Sequence, residues 1–401
     1  MYKINVPAKG NNAPWEVPFS TRCRTLRLCL KDGVPVAMLL YERADTSTFR
    51  YRGYNIAQIT KQSSRWRSVY FFVNEIDKIF PYLCQLSLAV VIRVKWTHML
   101  EKFIYEVKSN HIPLLFDVDD LVFDTKHLPM VTNTLSVPFK DEMDYDFWFA
   151  YIGRIEYTAA KADGFITTNS FLGDKLQGKF NKPYGIIPNF LNEEQLRISE
   201  RCLEKKKVQV SKNPFTIGYF SGTPSHINDF KTIYKELILL LEEFKDIQLK
   251  VVGFMEFPPE MQPLIQIGRV TFTPLVDFLE LQRLTAEVDV NIVPLVNNIF
   301  TNCKSELKFF EAAVVNTISC ATPTNVYQKC IVQGETGFLC RQGQWYDTIK
   351  NIYLGNVDYK KIQKAAYDYA IENYTGDRIV RMIEETYDMF NSIKGRKHHD
   401  K

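Results

Sequence analysis

The stretch FTIGYFSGTPSHINDFKTIYKELILLLEEFKDIQLKVV, residues 215–252, decides the fold. It opens with an apolar run at Phe215–Tyr219, turns at a glycine, continues through a helical segment at Asp229–Phe244 and ends in a second apolar run at Gln248–Val252. Two short apolar runs on either side of a helical segment predict parallel strands joined by a crossover helix. We therefore expect an α/β protein built on parallel sheet.

The same alternation extends over most of the chain. Further strands are predicted at Val34–Tyr41, Val69–Val73, Leu88–Val94, Ile112–Phe116, Gly164–Thr168, Tyr184–Ile187, Val270–Phe272 and Val288–Val293. Helices are predicted at Tyr54–Thr60, Met99–Lys108, Tyr151–Ala162, Ser170–Lys179, Val276–Ala286 and Asp377–Phe390. The last helix places Ile379, Ile383, either Thr386 or Tyr387, and Phe390 on one face, so we expect it to pack on a core.

A length of 401 residues is long for one domain. The segment Asn192–Asn213 is polar and contains the lysine run Lys205–Lys207, which makes it the predicted linker. The expected division is 1–205 for a first domain, 206–375 for a second, and 376–401 for a final helix and tail.

Composition excludes several classes of protein. The net charge of +4, from 50 basic and 46 acidic residues, is too balanced to indicate a nucleic-acid partner. No apolar run reaches the length of a membrane span, and the N-terminus has no signal-peptide pattern, so a cytoplasmic protein is expected. Eight cysteines without a CxxC pair indicate free thiols rather than a zinc site or a disulfide framework.

The segment NCKSELKFFEAAVV, Asn302–Val315, carries the clearest candidate chemistry. On a helix, Lys304, Lys308 and Glu311 share one face, while Leu307, Phe310 and Val314 share another that can pack on the sheet. Lysines beside a helix N-terminus suit a diphosphate, and a carboxylate two turns along suits a ribose diol. From spacing alone, an amphipathic helix with a merely solvated polar face explains the pattern equally well.

The residues KSELKFFEAA, followed by QGETGFL at Gln333–Leu339, closely resemble the donor-binding end of family 4 glycosyltransferases. Other parts of the chain resemble the same family between Val34 and Phe390. They are ADGFIT at Ala162–Thr167 with Phe171, the tripeptide at Ile187–Asn189, FDVDDLVFD at Phe116–Asp124 and IGYFSGTPSHINDF at Ile217–Phe230, the last two resembling a polysaccharide-synthesis branch.

The resemblance implies a GT-B fold: two Rossmann-like domains facing across a cleft, with a last helix crossing back to the first. It implies a glycosyltransferase that moves a sugar, with retention and without metal or cofactor, from a UDP-, GDP- or dTDP-sugar bound on the second domain. The implied acceptor is a glycan or a lipid-linked sugar held mainly by the first domain, in cell-surface polysaccharide synthesis such as capsule or O-antigen. Peripheral contact with the inner face of the membrane follows from such an acceptor.

The family's paired-glutamate motif is only half present. Glu311 matches the second glutamate, which implies ribose binding, but Cys303 stands where the first is expected. The resemblance therefore assigns the missing sugar contact to Glu306 or to backbone amides near Ser305. Positive charge at Lys304 and Lys308 would stabilise the leaving diphosphate.

The first loop of the donor domain also departs from the family pattern. Many members carry an arginine and a lysine there, whereas this chain has SGTPSH at Ser221–His226. Gly222 permits close backbone approach, and Thr223, Ser225 and protonated His226 can donate to phosphate oxygens. A plain Gly/Pro turn that caps the following helix is the alternative.

In the first domain, Asp117, Asp119 and Asp120 end a predicted strand, at the edge where open α/β sheets bind ligands. We interpret them as acceptor-facing carboxylates, with Asp119 or Asp120 deprotonating the acceptor hydroxyl. Helix capping by aspartate is the alternative. His127 could touch the transferred sugar, as a first-domain histidine does in many family members.

The loop Arg43–Arg52 offers further polar groups to the cleft, among them Arg43 and Arg50, which we assign to acceptor binding. Three other functions stay open at this stage. They are a nucleotide-sugar epimerase or hydrolase on the same fold, a metal-dependent GT-A transferase using Asp117 and Asp119, and a sugar-binding protein without catalysis.

Overall fold

A computed structural model of the chain describes residues 13–134, 141–208, 214–222 and 227–396. It contains two parallel six-stranded sheets covered by helices. The predicted α/β class with two Rossmann-like domains is therefore confirmed.

The first sheet has the strand order β2-β1-β3-β4-β5-β6. Its strands are β1 Val36–Tyr41, β2 Arg67–Phe72, β3 Leu88–Ile92, β4 Leu114–Val118, β5 Gly164–Thr167 and β6 Tyr184–Ile186. β3 and β4 are buried at every position, because helices cover both faces of the sheet and the strands have no solvent side.

The second sheet has the order β12-β11-β10-β7-β8-β9. Its strands are β7 Phe215–Ser221, β8 Ile247–Gly253, β9 Val270–Thr273, β10 Val290–Val293, β11 Ile318–Ala321 and β12 Phe338–Leu339.

The helices of the first half are α1 Phe19–Lys31, α2 Asn55–Ile59, α3 Ile76–Ile79, α4 His98–Ser109, α5 Leu128–Thr134, α6 Glu142–Lys161, α7 Ser170–Phe180 and α8 Glu193–Val208. Those of the second half are α9 Ile227–Lys231, α10 Tyr234–Glu243, α11 Gln262–Gln266, α12 Phe278–Ala286, α13 Ile299–Asn302, α14 Leu307–Ala313, α15 Tyr327–Cys330, α16 Trp345–Tyr353, α17 Tyr359–Tyr374 and α18 Gly376–Arg396. Among the described residues, no helix combines the length and apolar character that crossing a membrane requires.

The predicted linker at Asn192–Asn213 is instead a helix over most of its described length. Asn192 caps α8 by accepting a hydrogen bond of 2.8 Å from Gln195 N, and α8 packs against α12 of the second half. Polar composition here reflects a helix with one buried side, and residues 209–213 lie outside the described part of the chain.

The last helix, α18, packs on the first sheet. The predicted face of Ile379, Ile383, Tyr387 and Phe390 is buried, as expected. Phe390 lies directly against Gly164 of β5, where even an added Cβ would come within 2.1 Å of the ring. Trp66, which precedes β2, donates to Asp388 Oδ1 at 2.6 Å.

The two halves also share apolar core. Trp15, Phe49 and Tyr51 of the first half belong to the same buried cluster as Phe278 and Phe310 of the second. This packing positions the carboxyl ends of both sheets against each other, and that edge contains the candidate site.

Candidate functional site

A cluster of charges joins the two sheets at their carboxyl edges. Asp119 and Asp120 follow β4, Arg93 follows β3, and Lys304 follows β10 in the second half. Arg93 Nη1 lies 3.2 Å from Asp119 Oδ1 and 3.6 Å from Asp120 Oδ2, and Lys304 Nζ lies 3.9 Å from Asp120 Oδ1. We call these four residues, together with Thr48, the bridging cluster.

The two carboxylates of the bridging cluster differ in how firmly they are held. Asp119 accepts from Thr48 Oγ1 at 2.8 Å and from Arg93 at 3.2 Å, one bond to each oxygen. The contacts of Asp120 are longer ion pairs. Burial raises the pKa of Asp120, while Lys304 and Arg93 lower it and Asp119 raises it. A raised pKa and loosely held oxygens make Asp120 the candidate proton acceptor of the cluster.

Arg93 has a left-handed backbone, with φ at 49°. Such a conformation is unfavourable for a residue with a long side chain, so it persists only where surrounding contacts enforce it. Here Arg93 N donates to Asp117 O at 2.9 Å, while the guanidinium reaches both aspartates. The strain therefore directs the guanidinium into the cluster.

Asp117 does not face an acceptor, and its predicted role is corrected. Its carboxylate is fully buried and accepts from Arg52 Nε at 2.8 Å and from Arg52 Nη2 at 2.9 Å. Burial raises the pKa of Asp117 to about 6, against the opposing effect of Arg52. With both oxygens engaged by one guanidinium, Asp117 and Asp119 point to different partners and do not form a shared metal-binding pair.

Lys304 and Lys308 come from a segment that is broken rather than one continuous helix. Asn298 caps the start of α13. At the other end of α13, Cys303 N donates to Phe300 O and Lys304 N donates to Thr301 O, which makes a tighter last turn. The next helix, α14, begins only at Leu307. The helix predicted at Asn302–Val315 is therefore helical only at Leu307–Ala313. Lys304 lies in the connection between α13 and α14, where it can reach Asp120.

Lys308 is a cation in a poorly solvated position. Burial lowers its pKa to about 8. The positive charge of Lys304 also lowers the pKa, whereas the negative charges of Asp229 and Glu311 raise it. The Lys308 ammonium lies 5.7 Å from the centroid of the Tyr219 ring. Among the described residues, its ammonium forms no hydrogen bond or ion pair. An anion placed beside Lys308 would raise its pKa and favour the charged form.

Glu311 binds residues of the first half through one oxygen. Its Oε1 accepts hydrogen bonds from Tyr51 Oη and from Gln195 Nε2, the latter at 2.9 Å. The same oxygen lies 3.5 Å from Arg50 Nη2. Within the described residues, Oε2 has no hydrogen-bond donor. Glu311 is therefore anchored by its first oxygen, with the second left for another ligand.

The two arginines predicted to bind acceptor lie in different environments. Arg43 is exposed, whereas Arg50 is buried within a π-helical turn at Arg50–Tyr54. Arg50 Nε donates to Thr46 O at 2.8 Å, and the guanidinium lies over the rings of Tyr51 and Phe278. Arg50 thus contacts the Glu311 region and not an open acceptor surface.

Glu306 and Cys303 do not join the bridging cluster. Glu306 is buried and accepts from Tyr374 Oη at 2.9 Å and from Ser305 Oγ at 3.5 Å, and burial raises its pKa. Its predicted catalytic position is therefore corrected, because its carboxylate is bound by α17. Cys303 packs in an apolar cluster, where burial raises the pKa of its thiol to about 12, so it is unreactive.

Two further predicted contacts are only partly described. His127 Nε2 lies 3.8 Å from Asp124 Oδ2, in a short turn before α5. Ser221 ends β7 at the same edge as β10, and Gly222 follows it. Thr223, Ser225 and His226 lie outside the described residues, so their assignment stays a prediction.

Sequence reasoning missed Arg93, Tyr51 and Gln195 as site residues, whereas Thr48 is one of the polar groups that the loop Arg43–Arg52 is predicted to offer to the cleft. Arg93 had a usable signal, because it is a charged residue at the end of a strongly apolar run. Both Thr48 and Tyr51 belong to the loop Arg43–Arg52, which the sequence predicts to face the cleft. Gln195 had no local signal, since its role depends on α8 crossing between the halves.

No family model and no curated protein matches the chain. Several solved glycosyltransferases are similar in structure. HepE of Anabaena, in complex with UDP, matches with a TM-score of 0.55 and 13% identity over 89% of this chain and 99% of its own. A glycosyltransferase from Rickettsia africae matches with a TM-score of 0.58 and 14% identity over 89% of this chain and 98% of its own.

Sucrose-phosphate synthase from Thermosynechococcus elongatus matches with a TM-score of 0.53 and 14% identity over 90% of this chain and 100% of its own. Such identities establish architecture, and nearly the full length of each protein takes part. The chain therefore has the GT-B fold, with two Rossmann-like domains, that these glycosyltransferase structures share.

Proposed function

We propose that the protein is a glycosyltransferase that moves a sugar from a nucleoside diphosphate to an acceptor hydroxyl. The observation that carries the proposal is the bridging cluster, which brings two carboxylates of one sheet edge against Lys304 of the other. Ligands of open α/β sheets bind at this edge. HepE, which shares the fold, is known in complex with UDP-glucose.

Lys304 and Lys308 receive the diphosphate in this proposal. The C1–O bond of the donor sugar breaks with its electron pair leaving on the diphosphate, so negative charge grows on phosphate oxygens. Two ammonium groups already in place stabilise that charge without reorganisation. We assign the reaction to a retaining mechanism that needs no metal, with a UDP-, GDP- or dTDP-sugar as donor.

Glu311 keeps its assignment to the ribose. Oε2 can accept from a ribose hydroxyl while Tyr51, Gln195 and Arg50 hold Oε1. Gly222, Ser305 and the residues Thr223, Ser225 and His226 complete the proposed donor side. The fixed first oxygen orients the second, which lowers the entropic cost of binding.

Asp120 accepts the proton of the attacking hydroxyl as its oxygen bonds to C1. Asp119 positions Arg93 and Thr48 and does not carry the proton. Arg43 and His127 stay assigned to the acceptor, which we propose is a glycan or a lipid-linked sugar. Cell-surface polysaccharide synthesis in the cytoplasm, with peripheral contact at the membrane, is the setting we propose.

Calorimetric titration with UDP, GDP and dTDP tests the donor assignment. One of the three should bind, and Glu311→Gln should weaken that nucleotide about tenfold or more by losing a charged hydrogen bond. Glu242→Gln is the matched control, because Glu242 is an exposed carboxylate near the C-terminal end of α10 and belongs to none of the segments assigned to the donor. Unchanged binding in Glu311→Gln, or no binding by any nucleotide, refutes the assignment.

Release of nucleotide from the bound donor sugar distinguishes the remaining functions. A transferase needs an added glycan or lipid-linked acceptor for full turnover, whereas an epimerase or hydrolase does not. Loss of turnover in EDTA would support the metal-dependent alternative and contradict ours. Donor binding without any turnover across a broad acceptor panel would support a sugar-binding protein.

A further inference from the structure

Helix α6 presents large apolar side chains to solvent. Its first half contains Met143, Phe147 and Phe149, which are 77%, 51% and 50% exposed, and Tyr157 in its second half is 48% exposed. Its inward face is already satisfied, because Ile152 and Ile155 are fully buried against the first half of the molecule. The loop at Trp96 and Glu101 of α4 contact Arg154, Tyr157 and Lys161 in the second half of α6. Met143, Phe147 and Phe149 still leave at least half of their surface in solvent, which is unusual for clustered apolar groups.

Six side chains of α6 follow a seven-residue spacing that includes Met143, Phe147 and Tyr157 but not the exposed Phe149. Positions 143, 147, 150, 154, 157 and 161 are separated by steps of four and three, which keeps them on one stripe of the helix. The stripe is Met143, Phe147, Ala150, Arg154, Tyr157 and Lys161. We call it the outward stripe. This spacing is typical of a helix that pairs lengthwise with another helix.

The outward stripe is complementary to itself when reversed. About a midpoint at position 152, Phe147 falls opposite Tyr157, Ala150 opposite Arg154, and Met143 opposite Lys161. An aromatic thus meets an aromatic, a small residue meets a long one, and a thioether meets the aliphatic stem of a lysine. We infer that α6 is a homodimer interface, in which two copies pair antiparallel about residue 152.

Charge along α6 favours a second copy over a lipid surface. Glu142, Asp144 and Asp146 lie in the first half, whereas Arg154 and Lys161 lie in the second half. Arg154 Nε donates to Trp96 O at 2.8 Å and Lys161 Nζ lies 3.3 Å from Glu101 Oε1, but both side chains stay partly exposed. Antiparallel pairing sets each acidic half against the basic half of the other copy. Three acidic groups beside the apolar side chains would instead be repelled by an anionic membrane.

Tyr157 is already held in the orientation that the interface needs. Its ring lies 5.7 Å from the Trp96 ring in an edge-to-face arrangement, and Lys161 Nζ lies 4.8 Å from its centroid. A fixed aromatic loses little conformational freedom on association, so it is a suitable anchor.

Sedimentation velocity of the full chain over a concentration series tests the pairing. Wild type should show a monomer–dimer equilibrium, and Phe147→Glu should raise the dissociation constant at least tenfold. Phe149→Glu is the matched control: Phe149 is equally exposed on the same helix but lies off the outward stripe. Arg154→Asp provides a second disruptive variant should Phe147→Glu fold poorly by circular dichroism.

Three results would overturn the inference. They are a monomer at every concentration, a dimer that neither Phe147→Glu nor Arg154→Asp weakens, and equal weakening by Phe147→Glu and Phe149→Glu. Flotation with phosphatidylcholine and phosphatidylglycerol vesicles tests the alternative that this face binds lipid. In that case the free chain would be monomeric, and Phe147→Glu and Phe149→Glu would both lose vesicle binding.

A photo-crosslinking phenylalanine analogue at position 147 tests the direction of pairing. In the antiparallel dimer it faces Tyr157 across an interhelical distance of about 10 Å. Position 147 of the other copy lies about 15 Å away along the helix axis. Peptide mapping in a mixed isotopically labelled dimer should find links to residues near 157 of the other copy. Links between the two copies of position 147 would contradict the antiparallel arrangement.

Discussion

At the scale of single residues, Lys308 links protonation to ligand binding. Its pKa is lowered to about 8, mainly because burial disfavours the ammonium. A diphosphate beside it favours the charged form, so binding above this pKa must take up a proton.

We therefore expect affinity for the preferred nucleoside diphosphate to fall as pH rises above about 8. Calorimetry at pH 8.5 in buffers of different ionisation enthalpy should show uptake of a proton. Lys308→Met should bind more weakly and lose this uptake. Uptake that persists in Lys308→Met would show that another group is responsible.

The same lysine should limit the stability of the unliganded protein. Between about 8 and its ordinary pKa of 10.5, the unfolded chain keeps a proton that the folded chain has lost. The contribution of Lys308 to the free energy of unfolding therefore rises with pH between about 8 and 10.5. At pH 7 Lys308→Met should raise the melting temperature, and this gain should shrink between pH 8 and 10.5. A gain that does not depend on pH would indicate a packing effect only.

Substitutions of Asp119 and Asp120, the two carboxylates of the bridging cluster, should have different effects on turnover and stability. Asp120→Asn should lower kcat about 100-fold or more by removing the proton acceptor, with donor affinity nearly unchanged. Asp119→Asn should also lower the melting temperature, since Asp119 holds both Thr48 and Arg93. Donor turnover and thermal unfolding of both variants measure the difference. Equal kinetics and equal melting temperatures would contradict separate roles.

How far the sequence predicts single residues depends on local signals. Asp119, Asp120 and Lys304 were found because aspartates and lysines at strand ends are visible in one dimension. Arg52 and Asp117 are not recognisable from sequence as a buried ion pair, because Arg52 lies in the turn that follows β1 whereas Asp117 lies in β4. Burial of Glu306 by α17 is likewise a long-range property.

At the scale of elements, the end of β8 depends on a glycine. Gly253 has φ at +110°, and an added Cβ would lie 1.7 Å from the backbone oxygen of Ser221 at the end of β7. A side chain there must displace the strand end that leads into the loop proposed to bind the donor.

Gly253→Ala should therefore destabilise the protein more than the roughly 1–2 kcal/mol expected from backbone conformation alone. It should also weaken nucleotide binding. Gly268→Ala is the control, since Gly268 also has a positive φ but open space around it. Denaturant unfolding and nucleotide titration of both variants provide the measurement; equal losses of stability would rule out the clash.

Strands of continuous apolar residues were predictable because burial on both faces leaves a clear pattern. The last two strands, β11 and β12, were missed, since four and two residues between turns carry little pattern. The linker prediction was wrong for α8 because its lysine run lies at the end of a helix whose other side packs on α12.

At the scale of the whole molecule, α18 stabilises the first sheet from the far end of the chain. Phe390 is 1% exposed and fills the space that Gly164 leaves. Phe390→Ala should cost about 3–5 kcal/mol by creating a cavity. Met389→Ala, at a neighbouring but partly exposed position, should cost far less. Urea unfolding of both variants tests this; similar losses would show that α18 docks differently.

The docking of α18 also affects biosynthesis. The ribosome completes Gly164 more than 200 residues before Phe390, a delay of roughly 10–45 s at ordinary rates of elongation. During this time the apolar edge of β5 and β6 has no cover from its own chain. A nascent first domain therefore offers a binding surface to chaperones that the finished protein lacks, and translation pauses after β6 should increase aggregation.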